Sequence, residues 1–440
     1  MRLSLISGMI ILAQIASAHG QEESYIPTTD ASFATDNPGL ESAISDAIQQ
    51  TSCTGCAKSC KCNNCCYSWG KDTSLSVGAG IRASYRANEN GNPNGGTSQD
   101  FNLDNTRLYI NGKGHKRIGF EFNTDITNAQ GYRNVPNDAT RDDSQLMVLD
   151  AILKFQLTDN VNLWVGRMLP PSDRSNLDGP FYLNAWDFPF SQFGYSNIFQ
   201  GRDDGATLWG ERCGGKFKWQ IGVFDGESSG GVAYDGHPAT DNLMMNGRVV
   251  VNLLDPEPGY YNASTYYGEK NILAIGLAAM HRHDALSDGA GGEVDYTSWN
   301  LDVLFEKPLA NCGVATIEAA YYDFDDNGGL SDATGAAITL PPHNAARQGE
   351  SYFILGSYLF PNQCCILGLP GRFQALTRYQ EYDHDAVGAV AAGTTDALDL
   401  QLNYIMFGHK ARISAVWTQL DTAGAGGEDD LFTIGTQLQF

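Results

Sequence analysis

From about residue 73 onward, apolar and polar residues alternate one by one in segment after segment. Successive side chains of a strand point to opposite faces, so each such run carries one apolar and one polar face. In residues 74–86, Leu75, Val77, Ala79, Ile81, Ala83 and Tyr85 share one face, and Ser76, Gly78, Gly80, Arg82, Ser84 and Arg86 the other. Residues 148–157 set Leu149, Ala151, Leu153 and Phe155 outward against Asp150, Lys154 and Gln156. Residues 216–224, 298–306 and 410–418 repeat the pattern, and the chain ends on it, with Phe432, Ile434, Thr436, Leu438 and Phe440 on one face. About sixteen segments have this character, near the ten-residue length of a tilted membrane strand. Residues 350–360 alternate poorly. The pattern predicts an all-β fold, a 16-stranded antiparallel transmembrane β-barrel with an inward-folded third loop.

Connection lengths give an independent reason for a barrel. Gaps after odd strands are mostly long (87–101, 127–145, 169–204, 226–243, 282–296, 324–349, 383–397, 420–429). Gaps after even strands are mostly short, with 254–271 and, more mildly, 361–370 as exceptions. Long external loops alternating with short periplasmic turns characterise bacterial barrels, whereas a sandwich has no reason to show them. An even strand number returns both termini to the periplasm. The third long connection, 169–204, is rich in aromatics: Phe181, Tyr182, Trp186, Phe188, Phe190, Phe193, Tyr195 and Phe199. So apolar a loop is costly to leave in water, and the lumen is its natural place.

The chain opens as an exported protein. Arg2, the apolar run Leu3 to Ile15 and Ala16-Ser17-Ala18 predict a signal peptide over 1–18. Residues 19–52 read as a flexible periplasmic segment with a short amphipathic helix near Leu40, Ile44 and Ile48, a possible contact with the cell wall. Residues 53–72 form a Cys-rich segment, and 73–440 the barrel. Six cysteines cluster there: Cys53, Cys56, Cys60, Cys62, Cys65 and Cys66. Four more, Cys213, Cys312, Cys364 and Cys365, fall in expected even-to-odd turns. Export favours disulfides over thiolate metal sites, so all ten are disulfide candidates, with connectivity open.

Charge removes one class of partner. With 28 Lys and Arg against 51 Asp and Glu, the net charge of −23 argues against nucleic acid. By parity, the inner wall is less acidic than the chain. Arg82, Arg86, Arg107, Lys154, Lys216, Lys218, Arg248, Arg372, Arg378, Lys410 and Arg412 face inward, against Glu121, Asp125, Asp150, Asp302, Glu306 and Glu318. Rings of charge set ion preference in pores, so these cations either form a track for small anions or brace the lumen against the carboxylates. Arg202, with Asp203 and Asp204, either tethers the third loop to the wall or meets solute, and Arg174 is a further constriction candidate. His281-Arg282-His283-Asp284 has metal-ligating residues, but a His pair at a loop edge is more often incidental, and no metal or cofactor is expected. No nucleophile elbow, P-loop or HExxH motif occurs, so no enzyme is expected.

The segment from Leu103 to Lys113, followed by Phe120-Glu121-Phe122-Asn123-Thr124-Asp125, resembles the early strand pair of the phosphate-selective porin O and P family. Val165-Gly166-Arg167 before Pro170-Pro171, Gly201-Arg202-Asp203-Asp204-Gly205-Ala206, and Leu402-Asn403-Tyr404 with Gly408-His409-Lys410-Ala411 extend the resemblance over most of 74–440. It implies a sixteen-stranded, usually trimeric outer-membrane porin with an inward third loop. The lysine and arginine clusters that the family uses to hold phosphate are not matched, since 169–204 carries Arg174 and Arg202, no lysine, and Asp173, Asp178, Asp187, Asp203 and Asp204.

The resulting expectation is an outer-membrane porin for passive diffusion of small hydrophilic solutes or ions, with anions such as phosphate among the candidates. Its partners would be outer-membrane lipid, the solutes and two further copies of itself. The alternatives are a structural anchor to the cell wall with little conductance, or a soluble secreted carbohydrate-binding β protein.

Overall fold

The computed structural model describes residues 65–70, 72–91, 96–126, 146–189, 191, 201–226, 242–287, 292–310, 312–325, 348–366, 368–386, 392–422 and 428–440. The expected signal peptide, the segment 19–52 and Cys53, Cys56, Cys60 and Cys62 lie outside them. So do Phe190, Phe193, Tyr195 and Phe199.

Sixteen antiparallel strands close into a barrel. In chain order they are β2 (Thr73–Asn88), β3 (Ser98–His115), β4 (Ile118–Ile126), β5 (Leu146–Thr158), β6 (Val161–Met168), β7 (Asp203–Arg212), β8 (Phe217–Phe224) and β9 (Met244–Asn252). Then come β10 (Ile272–Ser287), β11 (Glu293–Pro308), β12 (Val314–Asp325), β13 (Gly349–Ile366), β14 (Leu369–His384), β15 (Gly393–Ile405), β16 (Ala411–Asp421) and β17 (Glu428–Gln439). Each pairs with its neighbours in sequence, and β17 closes on β2 with Gln439 opposite Gly80 and Leu431 opposite Asn88. Closure leaves no edge between β2 and β17, which is how a sheet can sit in lipid with every backbone group paired. A further short strand, β1 (Cys65–Gly70), lies inside the segment read as Cys-rich only, and pairs with the first residues of β2.

Burial alternates as the sequence pattern requires. Along β8 the even positions Lys218, Gln220, Gly222 and Phe224 are buried and the odd positions face out. Outward positions carry Ile221, Val249, Leu277, Leu301 and Ile317, a belt of exposed apolar side chains that would be anomalous in water. Outward aromatics pair toward the rim of the long connections, with Tyr85 and Phe101 at 5.2 Å, Trp299 and Tyr321 at 5.5 Å, and Tyr352 and Tyr379 at 6.1 Å. Tyr358 and Phe360, at 5.1 Å, lie toward the other rim. Two aromatic girdles around an apolar band are a membrane-barrel feature.

Three details depart from the sequence reading. Leu149 faces inward and is fully buried, because the register slips between Asn123 and Thr124 and a bulge rotates it. Strand β13 alternates cleanly in burial although both its faces are apolar, since inward Phe353 and Leu355 join a core cluster with Leu177 and Ala185. Cys364 and Cys365 lie within β13 rather than in a turn, opposite Gly371 and Pro370. The irregularity between Leu359 and Gln363 accommodates Pro361, which cannot donate to the ladder, and pairing then resumes to a tight hairpin.

Candidate pore and constriction

Side chains on the buried polar face of the barrel hydrogen-bond to two connecting segments. The first follows β6. After Pro170-Pro171, a one-turn helix α1 (Arg174–Asp178) is capped by Asp173, whose carboxylate accepts from the Asn176 amide at 3.3 Å and from Tyr322 Oη at 2.9 Å. Beyond Gly179 the chain turns, with the Tyr182 amide donating to the Gly179 carbonyl at 3.2 Å, and bends through 184–187 toward Pro189, and its aromatics seat on glycines of the wall. Trp186 lies over Gly435 and Phe181 over Gly80, at positions where any Cβ would overlap the rings.

Arginines hold this stretch by its carbonyls. Arg412 donates to the carbonyls of Leu183 (2.7 Å), Asn184 (3.0 Å) and Ala185 (3.1 Å). Arg82 donates to the Trp186 carbonyl and to Asn105 Oδ1 at 3.0 Å, with its guanidinium 4.1 Å from the Trp186 ring centroid. Arg378 donates to the Asp187 carbonyl at 2.9 Å and to Asp399 at 2.7 Å. Arg86 grips the Asp187 carboxylate at 2.9 and 3.0 Å. Burial alone would raise the Asp187 pKa, but Arg86, with Arg82 and Arg378 beyond it, holds the carboxyl below its usual range.

The second segment, residues 253–271, joins β9 to β10 from the opposite rim. Sequence reasoning flagged its length as an exception and assigned it no role. Its side chains bind both the wall and the first segment. Glu257 takes two hydrogen bonds from Arg174, at 2.9 and 2.6 Å, with both groups fully buried, and accepts a third from Tyr266 Oη. Burial alone would raise Glu257; the Arg174 guanidinium wins and holds it at about 2. Ser264 Oγ contacts Asp178 at 2.7 Å and Glu318 at 3.2 Å. Burial there pushes the Asp178 carboxyl well up, against the opposing pull of the Arg174 guanidinium. Thr265 donates to Glu306, as do the amides of Tyr266 and Gly268. Lys218 donates to Asn262 at 2.7 Å, and Tyr260 Oη to the Leu169 carbonyl at 2.8 Å. The excess of tyrosine at 260, 261, 266 and 267 was the available signal.

The remaining sequence-derived candidates form pairs on the wall. Arg107 meets Asp125 at 3.1 Å, Arg202 meets Asp150 at 3.2 Å, and Arg248 meets Asp302 through two hydrogen bonds. Lys154 pairs with Glu121 while lying 4.1 Å from the Trp164 ring centroid. The Arg202 contact is a tether from the end of the third connection to β5. Asp203 begins β7 and accepts from the Gly226 amide at 2.7 Å. Asp204, expected in the lining, falls on the outward set of β7 beside Ala206 and Leu208, because side chains alternate from Asp203 onward. There it pairs with Arg167 at 2.7 and 2.8 Å. Arg372 sits at the short-turn rim, donating to the carbonyls of Phe360 (2.8 Å) and Cys312 (2.7 Å).

Cys213, Cys312, Cys364 and Cys365 are free thiols among the described residues. They share the short-turn rim with the backbone of Cys65 and Cys66 in β1.

No protein-family model matches the chain, and no curated protein matches it. Solved structures do. An anion-selective porin from Comamonas acidovorans is 13% identical over 84% of this chain and 100% of its own, with a TM-score of 0.50. OmpF of Salmonella typhi, solved in complex with daunomycin, is 12% identical over 84% of this chain and 98% of its own, with a TM-score of 0.51. The chain has the sixteen-stranded barrel fold of these porins. At such identities the likeness is one of fold.

Proposed function

We propose that the protein is an integral outer-membrane porin for passive diffusion of small hydrophilic solutes, with residues 169–189 and 253–271 together narrowing its lumen. One observation carries this reading: a closed barrel, apolar outside and polar inside, whose polar face hydrogen-bonds to segments arriving from both rims. Solute selection then rests on the space these segments leave.

The finer reading, a track for phosphate or other small anions, has less support. The wall cations Arg82, Arg107, Lys154, Lys218, Arg248, Arg378 and Arg412, and Arg174 and Arg202 of the third connection, each already hold a carboxylate, carbonyl or amide oxygen. We infer that they act mainly as braces and that ion preference is weak. The expected homotrimer has one supporting feature, the outward Arg167–Asp204 pair, which suits a protein contact better than lipid. Residues 19–52 and the Cys-rich segment 53–72 would lie in the periplasm, where 19–52 would contact the cell wall.

Liposome swelling tests the reading. Reconstituted protein should admit small sugars and exclude larger ones with a sharp size limit. Absence of swelling with any solute would favour a structural anchor, a role that the dense internal packing also suits. Crosslinking in detergent should give a trimer.

A further inference from the structure

We propose that His283, Asp284 and Asp295 form a binding site for a divalent first-row metal ion on the outer wall, just beyond the upper aromatic girdle. The sequence offered His281-Arg282-His283-Asp284 alone, a run on one strand. The fold adds Asp295 from the neighbouring strand β11 and separates the run by parity. Arg282 points inward and is buried, while His283 is exposed on the outer face.

The donor atoms of His283, Asp284 and Asp295 all lie within 4.8 Å of one another. Each ring nitrogen has its own carboxylate: His283 Nδ1 is 2.6 Å from Asp295 Oδ1, and Nε2 is 3.2 Å from Asp284 Oδ2. A metal-ligating imidazole commonly has its second nitrogen oriented by a carboxylate, and this arrangement supplies that partner whichever nitrogen binds. Asp295 is itself fixed, since Oδ1 accepts the Asp284 amide at 2.9 Å. Asp284 has φ of +49° within the irregular stretch between Arg282 and Leu286, which breaks the alternation and turns its carboxylate toward the histidine.

Imidazole with a carboxylate ligand suits Mn²⁺, Zn²⁺ or Ni²⁺ better than Ca²⁺, which prefers an all-oxygen shell. One ring nitrogen and the carboxylate on its side supply two protein donors, the other carboxylate orients the ring, and the remaining coordination positions are open. Asp295 stands four residues beyond Trp299 on the same outward set, about 13 Å along the strand. In a membrane-embedded barrel this is the head-group level, where phosphate oxygens or water would complete the shell.

Mn²⁺ titration of the purified full chain in detergent, followed by paramagnetic resonance of the free aqua ion, tests the site. Mn²⁺ discriminates against the cysteine cluster, because thiolates prefer softer ions. One Mn²⁺ per chain is expected, with affinity reduced at least tenfold in both His283→Ala and Asp295→Asn. Heat-modifiable migration of each variant checks that the barrel is intact. No saturable binding, or binding unchanged in both variants, would overturn the proposal.

Discussion

Arg174 and Glu257 meet through two parallel hydrogen bonds, although their segments enter the barrel from opposite rims. The pair is the charged link between the two segments, beside the neutral contacts of Ser264 with Asp178 and of Tyr260 with the Leu169 carbonyl. A buried ion pair contributes little net stability over an apolar pair of equal size, but removing one partner strands the other. Glu257→Gln should therefore cost about 3–5 kcal/mol, read as a lower thermal midpoint, and should raise single-channel conductance as 253–271 loosens. Arg174→Met combined with Glu257→Met should recover much of the stability. Additive losses in the double variant would count against a direct pair.

The same pair sets a pH limit. Glu257 sits at about 2 in the folded chain, below an unfolded carboxylate at ~4.3. A depressed carboxyl contributes stability that is complete above the unfolded value and lost as pH falls through the folded one. Thermal midpoints should stay level from pH 7 to about 5 and fall between about 4 and 2. Glu257→Gln should flatten that acid slope. An unchanged slope would move the linkage to other carboxyls.

Arg412 holds three consecutive carbonyls of the first segment, at Leu183, Asn184 and Ala185. Arg412→Leu removes the donors and leaves those oxygens buried, at a cost of about 2–4 kcal/mol. Arg412→Lys should recover only part of this, because a lysine ammonium lacks the planar fork. Conductance should rise in the order wild type, lysine, leucine, as measured in planar bilayers.

Gly435 makes room for the Trp186 indole against β17. Gly435→Val should displace that ring while the barrel still closes, because Gly435 sits mid-strand with its backbone fully paired. A red shift of tryptophan emission with retained heat-modifiable migration is expected. No spectral change would mean that Trp186 is seated elsewhere.

Much of the fold was legible because a strand's period of two is insensitive to what lies across the lumen. Strands β2, β8, β11, β16 and β17 could be placed with their faces correctly assigned. The sequence reading failed where one extra residue reset the phase. Leu149 is such a residue, and Pro361 forced another slip that kept Cys364 and Cys365 within a strand. The candidate site was legible as a set of cations and an aromatic third connection. Their partners were not, since Arg412 binds backbone carbonyls that any sequence would offer. Residues 253–271 were visible only as a turn too long for its rim, and no local signal tied Glu257 to Arg174, 83 positions away.

At the short-turn rim, Cys213, Cys312 and Cys365 are exposed and Cys364 is half-buried. We expect the three exposed thiols to react with maleimide in the folded protein, and Cys364 more slowly. Mass mapping under non-reducing conditions should find the clustered cysteines 53–66 joined to one another. Unreactive rim thiols linked to peptides from 53–66 would instead mean that the N-terminal segment is covalently fastened across the rim.

Single-channel recording of the purified full chain in planar bilayers, with a salt gradient and phosphate titration, tests the central claim most directly. The account predicts discrete, small conductance steps, a weak ion preference and no block by phosphate, because the wall cations are already paired. The absence of any steps would contradict a diffusion channel, and block by low phosphate would contradict the assignment of those cations as braces.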